Sequence, residues 1–364
     1  MQSSIDMSLR TLRATVAAGL LLGLTTGCSS LGYYAQSVGG HLKLLNAARP
    51  VPEVLTDPAT PDSLKRRLVL SQRLRDYAVD SLKLPDNASY RRYADLQRSA
   101  AVWNVAAAPE LSLTLQTWCF PVVGCVAYRG YYDRNQAEAY AAQLRASGVD
   151  AGVYPVPAYS TLGKLPGRYF ADPLLNTFIQ WPEGELARLI FHELAHQVAF
   201  APDDTVFNES FATTVERLGT ARWLAERGSP AARDAMALHA SRRADFRALT
   251  VRYRERLSAL YRSAASDDDK RRSKAELLSE MRAEHAALKA GPWQGYTGYD
   301  GWFAQVNNAS FGVLAAYTDL VPQFEQLLAE QGGDLPRFYA EVRRLAALPM
   351  DERRRTLQRD ARLP

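Results

Sequence analysis

The chain has 364 residues, 47% hydrophobic and 23% charged, the balance of a globular protein able to bury one large core or two ordinary ones. A formal charge of +5 is small for this length, and Arg and Lys are interleaved with acids, so composition argues against a nucleic-acid partner. No Gly-rich phosphate loop precedes a helix pattern, which leaves nucleotide chemistry unsupported.

Arg10 and Arg13 lead into an apolar run of eleven residues, Ala14 to Leu24. A bilayer span needs about 20 apolar residues, so the run fits the h-region of an export signal instead. It ends in Leu24-Thr25-Thr26-Gly27-Cys28, followed by Ser29-Ser30, and resembles a bacterial lipobox with Thr25 where Leu is more usual. Residues 1–27 are expected to be a lipoprotein signal peptide, with Met7 an alternative start and Cys28 the lipidated first residue of the mature chain. The other reading is an ordinary secreted protein with an incidental cysteine. Ser29, rather than Asp, resembles outer-membrane sorting. The expectation is a cell-envelope lipoprotein facing the periplasm, held to the membrane by its N-terminal anchor. Disulfides are permitted there.

Residues 28–100 read as an N-terminal helical segment. Tyr33 to Ala48 can form a helix, four prolines from Pro50 to Pro61 punctuate a loop, and Ser63 to Leu84 shows helical spacing before Pro85-Asp86-Asn87. The texture then changes to strand patterns at Val102–Val105, Leu111–Trp118, Val122–Tyr132 and Gly152–Ser160, with a helix at Asn135–Ser147. Pro155 and Pro157 make the last strand an edge, which could align an extended peptide by strand addition. Cys119 and Cys125 flank Phe-Pro-Val-Val-Gly, and in an oxidising compartment a disulfide between them is expected, the competing reading being two buried free cysteines.

A helix starting near Pro182 and running to about Phe200 carries His192-Glu193-Leu194-Ala195-His196. Histidines four apart on a helix point the same way, so both can grip one zinc ion while Glu193 reaches a water on it as general base. Ile190, Phe191, Leu194 and Val198 cover the other side, and Glu185 and Arg188 share the histidine side, as in the wall of a cleft. Buried His and Glu need partners to offset their desolvation. Downstream, Asn208-Glu209-Ser210-Phe211-Ala212 resembles the Asn-Glu-Gly-Phe-Ala segment of gluzincin aminopeptidases, in which the Glu is the third zinc ligand. That resemblance implies Glu209 as ligand. Spacing offers Glu216 instead: twelve residues separate His196 from Glu209, against nineteen to Glu216, the latter closer to the usual gap. The two acids would share a helix face, one on the metal and the other supporting a histidine, and local context favours Glu209. Pro202 stands where metzincins place a third His.

The phrases Val102-Trp103-Asn104-Val105, Trp118-Cys119-Phe120-Pro121-Val122-Val123-Gly124-Cys125, Tyr128-Arg129-Gly130-Tyr131, Ala158-Tyr159-Ser160-Thr161-Leu162-Gly163, Phe191 to Gln197 and Phe207 to Glu216 resemble a bacterial family described as putative zinc aminopeptidase lipoproteins. The resemblance implies a metallopeptidase-like protein of the cell envelope with zinc as cofactor and peptide as substrate. The Gly-x-Met-Glu-Asn segment with which gluzincin aminopeptidases hold a free amino group is absent from the sequence.

Beyond Ala221 the pattern is helical, with long stretches at Ala231–Ala264 and Asp268–Lys289 capped near Ser266, and His239 and His285 are expected at the surface. Tyr296, Tyr299 and Tyr317 are candidates for stabilising an oxyanion, though core packing is the commoner role for each. Asn307 and Asn308 are candidates for holding substrate backbone. The expected fold is α+β of zincin type: a small, mostly antiparallel sheet and zinc-binding helices at 101–220, then a helical lobe at 221–364. The expected reaction is peptide-bond hydrolysis with Glu193 as base; the alternatives are a non-catalytic metal-binding envelope lipoprotein, disfavoured by Glu193, and a zinc amidase acting on a cell-wall component.

Overall fold

A computed structural model describes residues 32–120, 124–158 and 168–360. The expected signal peptide, Cys28, and the sequence phrases at 121–123 and 159–163 lie outside the described residues. Contacts divide the chain into two units, Met1–Asn46 and Ala47–Pro364. In the first, residues 32–46 are helical (α1), with Tyr34, Val38 and Leu42 exposed.

The second unit mixes α-helices with small sheets, an α+β arrangement. It begins with β1 (Arg49–Pro50), α2 (Val51–Thr56) and α3 (Asp62–Asp80). The last of these ends four residues before the expected Leu84. Its C-terminus is closed by Ser81 and Leu82 amides on the Tyr77 carbonyl, and Lys83 lies in the left-handed region at φ 57°. Two arginines of α3 hold neighbouring loops in place. Buried Arg75 donates to the Pro85, Asn87 and Ser89 carbonyls, and Arg67 donates to the Ile179 and Trp181 carbonyls. These bonds satisfy loop backbone that would otherwise be orphaned.

The strands are β2 (Arg92–Ala94), β3 (Val102–Pro109), β4 (Trp118–Phe120), β5 (Gly124–Val126), β6 (Arg129–Tyr131), β7 (Val149–Val156) and β8 (Leu174–Leu175). β3 is the centre of an antiparallel sheet ordered β6-β3-β7, paired with β7 from Val102↔Val156 to Pro109↔Val149. β7 is thus an edge, as its prolines suggested. β2 pairs antiparallel with β1 and parallel with β8, while β4 and β5 form a two-stranded hairpin. α4 (Arg134–Ala146) follows β6, capped by Asp133.

Two expected strands are corrected. Of Leu111–Trp118 only Trp118 is in a strand, because Leu113 and Leu115 anchor an extended segment against a later helix instead of forming a ladder. The single strand expected at Val122–Tyr132 is broken: β5 turns back on β4, and β6 leaves to join β3.

α5 (Glu183–Ala195) and α6 (Thr205–Glu226) form the central helix pair. Gly219 lets them meet, since a Cβ there would lie 2.9 Å from the Phe191 ring and 2.5 Å from Leu82. α5 is shorter than the expected run to Phe200, for the Gln197 and Val198 amides bond three residues back, to Leu194 and Ala195, and tighten the end. α7 (Pro230–Arg262) and α8 (Asp267–Ala290) form the expected hairpin, with Ser266 capping α8. α9 (Asp300–Ala304), α10 (Asn308–Thr318), α11 (Val321–Glu330), α12 (Leu335–Ala346) and α13 (Met350–Asp360) complete the unit. Contrary to expectation, His285 is buried: it stacks on Phe303 at 3.9 Å and its Nε2 lies 3.5 Å from Asp300.

Candidate metal centre

The site is built where α5 and α6 face each other. His192 lies in the last turn of α5 and His196 is its C-terminal cap, still in right-handed helical geometry. Their Nε2 atoms are 3.1 Å apart. Glu209, one turn into α6, brings Oε2 to 3.2 Å from the His192 Nε2 and 3.7 Å from the His196 Nε2. All three residues are little exposed, and these three atoms form a group that could hold a metal ion. Bonds of about 2.0–2.1 Å in a tetrahedron set ligand atoms roughly 3.3 Å apart, so the spacing fits a first-row divalent ion with N and O ligands.

The two acids that the sequence left in competition take different positions. Glu216 is remote from the Nε2 atoms and accepts from His192 Nδ1 at 3.0 Å, on the opposite side of the ring. In the neutral ring a proton on Nδ1 leaves the Nε2 lone pair facing Glu209 and His196, the arrangement that fixes a metal-ligating imidazole. Arg188, also on α5, donates to Glu216 through Nε at 3.1 Å and through Nη2, and contacts Glu185 at 3.7 Å. Glu185 is held in turn by Arg243 of α7 at 2.7 Å. The buried charges therefore alternate in sign from Arg243 to His192, which offsets much of their desolvation. His196 Nδ1 is buried with no hydrogen-bond partner among the described residues.

Electrostatics follow this layout. Burial opposes a charge on His192, but Glu209 and Glu216 together hold it protonated well above the usual imidazole range. Burial likewise pushes Glu209 and Glu216 up. The histidines outweigh it at Glu209, and Arg188 with His192 outweighs it at Glu216, so both carboxyls end below their usual range. Glu193 goes the other way: burial raises it, and the histidines only partly compensate. Its carboxylate accepts no hydrogen bond from any described residue, and it lines a cavity of about 790 Å³ that also reaches His192 and Tyr317.

Of the candidate tyrosines, only Tyr317 of α10 comes to the group that could hold a metal ion. Its ring stacks on His192 with centroids 6.1 Å apart and planes 27° apart. The Glu209 carboxylate, then desolvation, keep the phenol well above its usual range, so it stays a proton donor. Tyr299 stacks on Phe246 at 4.2 Å and forms cavity wall, while Tyr296 belongs to the neighbouring aromatic cluster. Asn307 caps α10 through its side-chain oxygen, fully buried Asn308 spends its side chain on Tyr261, Pro109 and Glu110, and neither lines the cavity. Tyr154 of β7, unremarked in the sequence, sits within electrostatic reach of Glu209 and accepts from Asn104 at 3.4 Å. Nothing distinguishes it in a chain of eighteen tyrosines.

Cys119 and Cys125 lie opposite each other in the β4–β5 hairpin and form a disulfide. No described helix is long and apolar enough to cross a membrane. A family model described as "Putative aminopeptidase" matches residues 32–357. Neither a curated protein nor a solved structure matches the chain.

Proposed function

The chain belongs to the putative aminopeptidase family, and from that premise we propose that it is a zinc-dependent peptidase with the metal held by His192, His196 and Glu209. Family membership supports peptidase activity at a coarse level; the zinc, the base and the location are the proposal. One observation carries it. Three buried donor atoms converge at tetrahedral spacing, next to a half-buried carboxylate that accepts no hydrogen bond from any described residue. A structural metal site has no use for that free acid.

When bound, the metal supplies Lewis-acid polarisation of the scissile carbonyl and acidification of a water. Glu193 accepts the proton of the attacking water and delivers it to the leaving amine, and its raised pKa suits both halves of that task. Tyr317 donates its phenol hydrogen to the oxygen on which negative charge develops. Glu216 keeps the His192 ring in one tautomer and one orientation, and Arg188 keeps Glu216 ionised. The β7 edge leads into the cavity through Val156 and Pro157, where an extended peptide can lie beside the strand. The zincin-type fold, the lipid anchor on Cys28 and the envelope location belong to the same proposal, on the sequence grounds given above.

The test is metal analysis of purified protein together with peptide-library hydrolysis by wild type and Glu193→Gln. One zinc per chain in both proteins, with hydrolysis lost by about 10²–10⁴-fold in the variant, is expected for removal of a general base. Equal activity in the variant removes Glu193 from the mechanism. A metal-loaded wild type that cleaves nothing identifies a non-catalytic metal-binding protein instead.

A further inference from the structure

The family's description names aminopeptidases, whose substrates carry a free α-ammonium beside the scissile bond. The charges lining the cavity point to a different substrate. Its acids are Glu185, Glu193 and Glu216. Arg243 and Arg188 hold Glu185, Arg188 and His192 hold Glu216, and Glu193 is the proposed base. No carboxylate of the wall remains for an ammonium group. The stretches 121–123 and 159–167 cannot supply one, because they contain neither Asp nor Glu.

The cations are distributed otherwise. Besides Arg188 and Arg243 the cavity is lined by Arg217, Arg254 and Arg247. Arg217 pairs with Glu325 at 3.0 Å and Arg254 with Asp319 at 2.9 Å. Arg247, exposed on α7, makes neither a hydrogen bond nor an ion pair through its guanidinium with any described residue. Among the described residues it is the cavity's one cationic side chain without a counter-ion, and it shares a wall with apolar Phe246, Val251 and Leu314. A guanidinium presents a rigid fork of donors that matches a carboxylate, and it gains most where apolar walls exclude water.

We propose that this cavity selects peptides bearing an acidic side chain, and that Arg247 is the specificity-determining residue. A free α-ammonium is not what it recognises. The assignment rests on the peptidase reading above.

The probes are octapeptides rich in Leu in which one residue, scanned along the chain, is Glu, Gln or Lys. Each is made with a free and with an acetylated N-terminus. Binding is measured by calorimetry on the Glu193→Gln protein, and hydrolysis on the wild type. In at least one register the Glu peptide is expected to bind about tenfold more tightly than its Lys counterpart, the order of one charge-assisted contact. Acetylation is expected to change binding less than about twofold, since no group is assigned to the amine. Adding Arg247→Glu reverses the Glu/Lys order, and Arg247→Lys preserves it in weaker form. Because Arg247 is exposed and unpaired, neither change should disturb folding. Tight binding confined to free-amine peptides, an order unchanged by Arg247→Glu, or no binding by any probe overturns the assignment. The two readings fail separately. Binding of acidic peptides without hydrolysis sinks the peptidase and leaves the recognition, while hydrolysis restricted to free-amine peptides does the reverse.

Discussion

Glu216→Gln separates the two carboxylates that sequence spacing left in competition. The substitution keeps the side chain's shape and an oxygen for the Nδ1 hydrogen of His192, which now lies 3.0 Å from Glu216, but removes the charge. Two consequences follow. The imidazole loses the anion that raises its basicity, and losses at such supporting positions run about 10–100-fold in metal affinity, or about 1.4–2.7 kcal/mol. Arg188 loses its main counter-ion and keeps only Glu185 at 3.7 Å. Removing one partner of a buried pair costs about 3–5 kcal/mol, and the retained hydrogen bond and Glu185 should bring this to roughly 2 kcal/mol. Metal affinity is read by competition with a chromophoric chelator, and stability by urea unfolding of the metal-free protein. Glu209→Gln, in parallel, should lose far more affinity than Glu216→Gln. If Glu216→Gln abolishes binding while Glu209→Gln binds normally, the ligand and its support have been exchanged.

Three further outcomes are expected. Tyr317→Phe keeps the ring on His192 but deletes the hydroxyl, so metal content and KM should hold while kcat falls about 10²–10³-fold; an unchanged kcat places the oxyanion donor elsewhere. Asp204 is buried, and although burial pushes its carboxyl up, Arg354, the Phe207 amide and Arg353 outweigh that and hold it below its ordinary value of 3.8. Its stabilisation is present above pH 3.8 and is lost as the pH falls through the folded value, so Asp204→Asn should cost about 3 kcal/mol near neutrality and flatten the acid limb of the stability profile. Replacing Cys119 and Cys125 by serine should lower stability by about 2 kcal/mol, the loop-closure value for so short a loop, yet weaken metal binding less than the loss of Asp204 does.

The α5 half of the site was legible because helical periodicity alone puts His192, His196 and Glu193 on one helix with apolar residues around the rest of it. Glu209 was legible only through its local context, since counting residues pointed to Glu216 instead. Both acids do share one helix, but distance rather than order separates their parts: one reaches the Nε2 atoms and the other passes behind the ring. Tyr317 and Tyr154 reach the site through tertiary packing of α10 and β7, which no local pattern announces. The false strand at Leu111–Trp118 has the same origin. Its alternating leucines are apolar because α10 covers them, with Gly312 leaving room for Leu115. Alternation reports burial on one side; it does not report a ladder.

The short connection between His196 and Glu209 remains to be reconciled with a rigid site. Only twelve residues join them, and the chain has no room there for a structured insertion. It is instead clamped at successive points. Gln197 donates to Ser89 at 3.1 Å and accepts from Asn87 at 2.6 Å, in the loop that Arg75 organises. Asp203, left-handed at φ 65°, accepts from the Cys125 amide at 2.5 Å and so joins the disulfide hairpin. Asp204 caps α6 through the Phe207 amide at 3.1 Å while Arg353 and Arg354 hold it from α13. Asn208 then closes the turn, donating to the Ala201 carbonyl and accepting from the Ala201 amide, each at 2.8 Å. Each clamp removes backbone freedom in advance, so little ordering would remain for Glu209 to undergo in the proposed metal binding. Asn208 therefore serves geometry, directly before the proposed ligand: it sets the entry of the helix that aims Glu209. A longer connection could reach the same point in many conformations, whereas this one reaches it in few.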